Sequence, residues 1–233
     1  RVFASADILT GYRNTLLYTL FGTSLNMVAT IMAAYPLSLP DLKGKNIFTF
    51  FITFTMFFGA GMIPSYLNLK DLGLLNNPLV VIVPGAISVT NMLIMRNYFI
   101  NSVPAALREA ASIDGASPMA VMMRIVLPLS KSIIIVIILY YMVGHWNSYF
   151  NAMIYISNDN IQTLQVFIKR ITSQATATLD SGEVSAEQMI ESIRKTQLLK
   201  YAVVVVSSVP MIALYPFVQR YFIQGIMIGA VKG

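Results

Sequence analysis

Glu109-Ala110-Ala111-Ser112-Ile113-Asp114-Gly115, followed ten residues later by Ile125-Val126-Leu127-Pro128, is a short amphipathic island in a sequence that is otherwise mostly apolar. Pro104 suits the first turn of a helix, where its missing N–H is no loss. Gly115 suits the position just past a helix end, where a positive φ is needed. The interval of about eleven residues, at 1.5 Å each, predicts a helix roughly 17 Å long, too short for a bilayer core of about 30 Å. On such a helix Leu107, Ala110, Ala111 and Asp114 share one face, while Arg108, Glu109 and Ser112 point elsewhere. Ser117 reads as an N-cap with Pro118 behind it, starting a second helix at an angle to the first. The chain is thus expected to leave the membrane, make a helix–Gly–helix elbow over 102–130, and return. A plain surface loop with two helical turns is an equally weighted reading of the physics.

Composition bounds the rest. Of 233 residues 56% are hydrophobic and 11% charged, whereas a soluble domain carries about 25% charged residues. An all-α polytopic membrane protein follows, forming a single domain over 1–233. No cysteine is present, which excludes a disulfide framework and a thiolate metal site, and the one histidine argues against a His-rich site. The net charge of +6 is scattered between apolar runs, which suits loops facing anionic lipid and cytoplasm rather than nucleic acid.

Five apolar runs are visible, about 12–39, 47–67, 78–100, 132–156 and 198–222. Gly59, Gly61 and Pro64 predict a break or re-entrant bend at the far end of the second. Residues 157–197 form the longest polar stretch and hold Asp159, Asp180, Glu183, Glu187 and Glu191. With the elbow inside, the sixteen Lys and Arg divide equally between the two sides, so the positive-inside rule does not set the orientation.

Chemistry in the covalent sense is missing. There is no Gly-x4-Gly-Lys-Ser/Thr, no Ser/His/Asp set and no His-Glu-x-x-His. Glu109 and Asp114, five residues apart on an exposed elbow, do not read as a catalytic pair. Two polar clusters sit within apolar runs, where polar groups usually face a cavity or another helix. One is Ser88, Thr90 and Asn91; the other runs from Gly144 to Asn151 and includes Trp146, Asn147 and Tyr149. Aromatic faces beside amides and hydroxyls suit a sugar path (Ser88, Asn91, Trp146, Asn147, Tyr149, Asn151). An interfacial aromatic belt with helix–helix hydrogen bonds has equal weight. His145 reads as a packing histidine.

The elbow resembles the signature of the membrane permeases of bacterial binding-protein-dependent ABC importers: Glu-Ala-Ala, three residues, Gly, nine residues, Ile-x-Leu-Pro. Glu109, Ala110, Ala111, Gly115, Ile125, Leu127 and Pro128 match every position, and Asp114 lies inside it. Seven fixed positions over twenty residues are a specific signal. Beyond the elbow, His145-Trp146-Asn147 and the ending Gln224-Gly225 to Gly229-Ala230-Val231-Lys232-Gly233 are similar to the maltose-type carbohydrate permeases. The branch is the one importing oligosaccharides and polysaccharides, acidic ones such as alginate included, although no residue here identifies uronates.

The resemblance implies a type I permease fold, normally of six spans, so a further span before Arg1 is expected. It places the chain in the bacterial inner membrane with a cytoplasmic elbow acting as coupling helix in a cleft of a separate ATPase. In that role Glu109 makes polar contacts, Ala110 and Ala111 allow close approach, and Gly115 makes the bend. The tail residues Gly229, Lys232 and Gly233 give a second contact with the ATPase, and 157–197 is a periplasmic loop. The implied partners are a second, different permease, two ATP-binding subunits, a periplasmic or lipid-anchored sugar-binding protein, a carbohydrate substrate and membrane lipid. This chain is expected to be non-catalytic and to hold no cofactor, ATP and Mg being on the ATPase. The rival reading is a secondary transporter or channel, which would need intramembrane charges for ion coupling.

Overall fold

The computed structural model describes residues 6–170, the helical stretch 207–213 and scattered positions between 173 and 219. The tail from 220 onward, with Gly229, Lys232 and Gly233, lies outside the described residues, as do most of the 157–197 loop beyond 170 and much of the fifth run.

Helix α1, Ala6–Ser38, is 33 residues long. At 1.5 Å per residue it extends about 50 Å, enough to cross a hydrocarbon core of about 30 Å and emerge at both ends. Pro36 sits in its last turn, and the helix stops before Pro40. Of the described helices, α1 alone is long and apolar enough to cross a membrane by itself.

Each of the next three apolar runs is broken, the second where a break was expected and the third and fourth where none was. The second forms α2, Lys45–Phe54, and α3, Met62–Asp71, around the expected break. Gly61 adopts φ +85° there, a region open to glycine, and Pro64 sits in the first turn of α3. The third is split into α4, Leu79–Ile82, and α5, Val89–Ser102, because Pro84 and Gly85 interrupt the ladder. The elbow holds α6 (Ala105–Ile113), α7 (Pro118–Val121), a π-turn (Met122–Val126) and α8 (Leu127–Leu129). The fourth run holds α9, Lys131–Trp146, and α10, Phe150–Tyr155, separated at Asn147-Ser148-Tyr149. A 3-10 turn at Asp159–Ile161 leads into helical residues 164–170.

The chain divides into two compact units. The first comprises Arg1–Phe21, Tyr66–Pro84 and Val143–Tyr215. Its core is Tyr18, Leu69, Val80, Val81, Ala152 and Tyr155, with a second cluster of Ile8, Trp146 and Leu164. The first part of α1 holds the 160–164 segment by side-chain bonds to backbone. Asn14 donates to the carbonyls of Asn160 and Gln162 at 2.9 and 3.0 Å. Tyr18 donates to Ile161 O at 2.7 Å, and Thr15 Oγ1 accepts from Leu164 N at 2.9 Å. Irregular backbone away from water must find such partners.

The second unit comprises Gly22–Ser65, Gly85–Met142 and Pro216–Gly233. Its core is Ala34, Tyr35, Met92, Met95, Phe99, Val103, Val121, Val126 and Ile137. Here too buried polar side chains of α1 bind a helix break. Asn26 donates to Gly85 O at 2.5 Å. Thr30 Oγ1 pairs with the Tyr141 hydroxyl at 2.7 Å, and that hydroxyl accepts from Ser88 N at 3.0 Å. Arg96 Nε donates to the Leu37 carbonyl at 2.8 Å, satisfying an acceptor in the last turn of α1.

Candidate functional site

The elbow lies within the second unit and follows its local sequence closely. α6 ends in the hydrogen-bond pattern of a glycine C-cap: Ala116 N donates to Ala111 O at 2.9 Å, and Gly115 N to Ser112 O at 3.1 Å. Gly115 takes φ +78°, as its position past the helix end demands. Ser117 then caps α7, its Oγ accepting from Ala120 N at 3.2 Å, with Pro118 at the first helical position.

The Ile-x-Leu-Pro half has its own physics. Pro128 lacks an N–H, and its ring crowds the carbonyl four residues back, at Arg124. The helix widens to a π-turn over Met122–Val126 just before it. The chain then bends by 84° between Pro118–Leu129 and Lys131–Trp146. Ser130 ends the first of these segments, its N–H bonded to Val126 O and Leu127 O.

Burial divides the signature into two sets. Ala111, Ile125 and Leu127 pack against the core of the unit. Glu109, Ala110, Asp114, Gly115 and Pro128 are exposed. No residue of α6 is fully buried, and Ile113 is 86% exposed. The elbow therefore presents a short rigid surface carrying two carboxylates, held from behind by alanine and branched aliphatic packing. Arg108, one residue before Glu109, turns inward and is half-buried.

The polar residues expected along a sugar path divide between the two units. Ser88 and Asn91 belong to the second. Ser88 caps α5, accepting from Asn91 N, and the Asn91 side chain is buried. Trp146, Asn147, Tyr149 and Asn151 belong to the first. Trp146 is only 2% exposed; its indole N–H donates to Ser207 O at 3.0 Å and its ring meets Tyr12 edge-on at 5.9 Å. Its ring is thus part of the packing of that unit. Asn147 and Asn151 are exposed and Tyr149 is half-buried. Among the described residues no group of His, Cys, Asp and Glu is arranged to hold a metal ion.

One feature escaped the reading of the sequence: the row of buried polar residues on α1, among them Asn14, Thr15, Asn26 and Thr30. Its helical spacing was visible, but an alternation of Thr and Asn inside an apolar run gives no hint of the partners that satisfy it.

Residues 8–228 match the family described as "Binding-protein-dependent transport system inner membrane component". The chain is 38% identical over its whole length to protein LplC of Bacillus subtilis (strain 168), covering 77% of that protein. It is 37% identical, again over its whole length, to the polygalacturonan/rhamnogalacturonan transport system permease protein YtcP of the same organism, covering 80% of it. Among solved structures, a chain of a bacterial ABC transporter involved in the import of the acidic polysaccharide alginate superposes with a TM-score of 0.82 at 35% identity. That match covers 95% of this chain and 78% of the other. With nearly the whole chain matched, and the helical elbow formed where its signature lies, this protein belongs to the family of inner-membrane components of binding-protein-dependent transport systems.

Proposed function

We propose that this chain is one of two different permease subunits of an ATP-driven importer that moves an oligosaccharide or polysaccharide inward by alternating access. The observation that carries the coupling part is the division of the elbow. A handle for a separate ATPase needs an exposed face to be gripped and a buried face to pass the movement on. Glu109, Ala110, Asp114, Gly115 and Pro128 supply the first, and Ala111, Ile125 and Leu127 the second. Hydrolysis on the partner biases two membrane conformations only through contacts that differ between them, and a stiff capped helix on a core-packed base transmits such a difference. The carbohydrate class rests on the relatives, whose names include polygalacturonan/rhamnogalacturonan transport and alginate import. Within the substrate path, Asn147, Tyr149 and Asn151 are the accessible candidates, whereas Trp146 serves packing. The tail residues Gly229, Lys232 and Gly233 complete the proposed ATPase contact.

The test is co-expression with the neighbouring operon products, solubilisation, and ATPase assay with and without the binding protein and candidate oligosaccharides. Hydrolysis stimulated by loaded binding protein, and lost in Glu109→Lys with membrane insertion intact, is the expected result. A chain that purifies alone, with no associated ATPase, would overturn the reading in favour of a channel or secondary carrier.

A further inference from the structure

Beside the elbow, within the second unit, lies a cavity of about 370 Å³. Its walls include Tyr35, Leu39, Asp41, Arg108, Ser112 and Pro118. Arg108 is half-buried along this wall, and its Nη1, shielded from water, has no hydrogen-bond partner among the described residues. Neither neighbouring hydroxyl accepts from it: Tyr35 donates to Pro118 O at 3.0 Å and Ser112 to Arg108 O at 2.9 Å, and neither oxygen lies within bonding reach of Nη1. Asp41 lines the same cavity but is exposed to solvent and forms no ion pair with Arg108. A guanidinium nitrogen removed from water and left unpaired is costly, and buried charges in proteins are normally paired. The unmet need is for a carboxylate-type acceptor, which a guanidinium fork binds through two parallel bonds.

We propose that this cavity is a socket for an acidic side chain of the ATP-hydrolysing partner, with Arg108 as its anchor. The inference rests on the importer reading above and adds a second, oppositely charged contact beside the one assigned to Glu109. A protein occupant is favoured over a free ion because of what else the elbow exposes. The same elbow exposes Leu107, Ile113 and Met119 at 46%, 86% and 57%. Exposed apolar side chains on the same elbow as a half-buried charge are the make-up of a protein contact, with a charged anchor and apolar neighbours that exclude water.

The experiment uses the whole transporter, purified with its second permease, ATPase and binding protein. In Arg108→Gln the two permeases are expected to co-purify as before, while retention of the ATPase falls by tenfold or more. Arg108→Lys is expected to keep part of that retention. Zero-length carbodiimide coupling of the lysine amine in Arg108→Lys should then form an amide with an Asp or Glu of the ATPase, identified by mass spectrometry. Unchanged ATPase retention in Arg108→Gln would overturn the proposal. So would coupling of that lysine to Asp41, or restored function in the Arg108→Asp/Asp41→Arg exchange, either of which makes the pair internal. Stabilisation of the wild type but not Arg108→Gln by inorganic phosphate, with ATPase retention equal in both, would make it a free-anion site and also overturn it. If the wild-type complex retains no ATPase at all, the importer reading itself fails, which distinguishes the two failures.

Discussion

Asn26, midway along α1, donates its side-chain amide to the carbonyl of Gly85, 59 residues later, at 2.5 Å. Pro84 and Gly85 break the third apolar run, and the break leaves a main-chain acceptor outside any helix. Asn26 is fully buried, so its amide replaces the water such a carbonyl would otherwise need. Replacing Asn26 with Leu should lower stability by about 1–3 kcal/mol, the cost of an orphaned buried polar group. Thermal unfolding in detergent checks this, and an unchanged midpoint would mean that the carbonyl finds another donor.

Gly11 is defined by what stands next to it. A Cβ there would come within 2.8 Å of the Phe167 ring and 3.0 Å of the Leu164 Cα. The ring can move; the Leu164 backbone is held by its bond to Thr15. Gly11→Ala should therefore destabilise the first unit by about 1–3 kcal/mol through overpacking. Proteolysis of the 160–170 segment in membranes reads it directly, and wild-type resistance would contradict the close packing.

Gly115 is the opposite case. Nothing lies within 4 Å of a Cβ built there, so space is available and only the φ of +78° resists substitution. Gly115→Asn should retain most transport, since asparagine tolerates this region, while Gly115→Val should lose it. Uptake assays on the two variants at equal expression separate a backbone requirement from a steric one. Equal activity of both would remove the case for a glycine-dependent bend.

Asp159 and Arg170 form an ion pair at 2.6 Å near the start of the polar loop, and Arg170 also lies 5.7 Å from the centre of the Phe167 ring. The hydrogen bond from Arg170 holds the Asp159 carboxyl below its usual range. A lowered folded pKa contributes stability that is complete above the ordinary carboxylate range and is lost as pH falls through the lowered value. Both groups are largely exposed, so the contribution is small. Hydrogen exchange over 159–170 should quicken slightly in that acidic window in the wild type. In Asp159→Asn it should show no such step, and a step of equal size there would assign it to another group.

The helix ends of the elbow were legible in the sequence because each is a local matter. A glycine past the end and a serine before a proline act within a few residues, whereas the π-turn before Pro128 was not foreseen. The apolar runs were legible too, but not their breaks after Val83 and after Trp146. Hydropathy sums over a window, and one Pro-Gly pair or a polar triplet barely changes the sum while ending the helix. Trp146 shows the same limit from another side. Its neighbours Asn147 and Tyr149 suggested a sugar platform, yet the indole is fixed by Ser207, 61 residues on.

The sequence by itself determined that this is a helical membrane protein with a seven-position elbow, because composition and short-range capping do not depend on the rest of the fold. Only the tertiary structure decided which polar groups are already satisfied. Thr15 is bound to Leu164, Asn26 to Gly85 and Thr30 to Tyr141, while Arg108 Nη1 has no such bond among the described residues. The reason is physical: a hydrogen bond in an apolar interior joins whatever packing brings within 3 Å, and sequence distance carries no information about that.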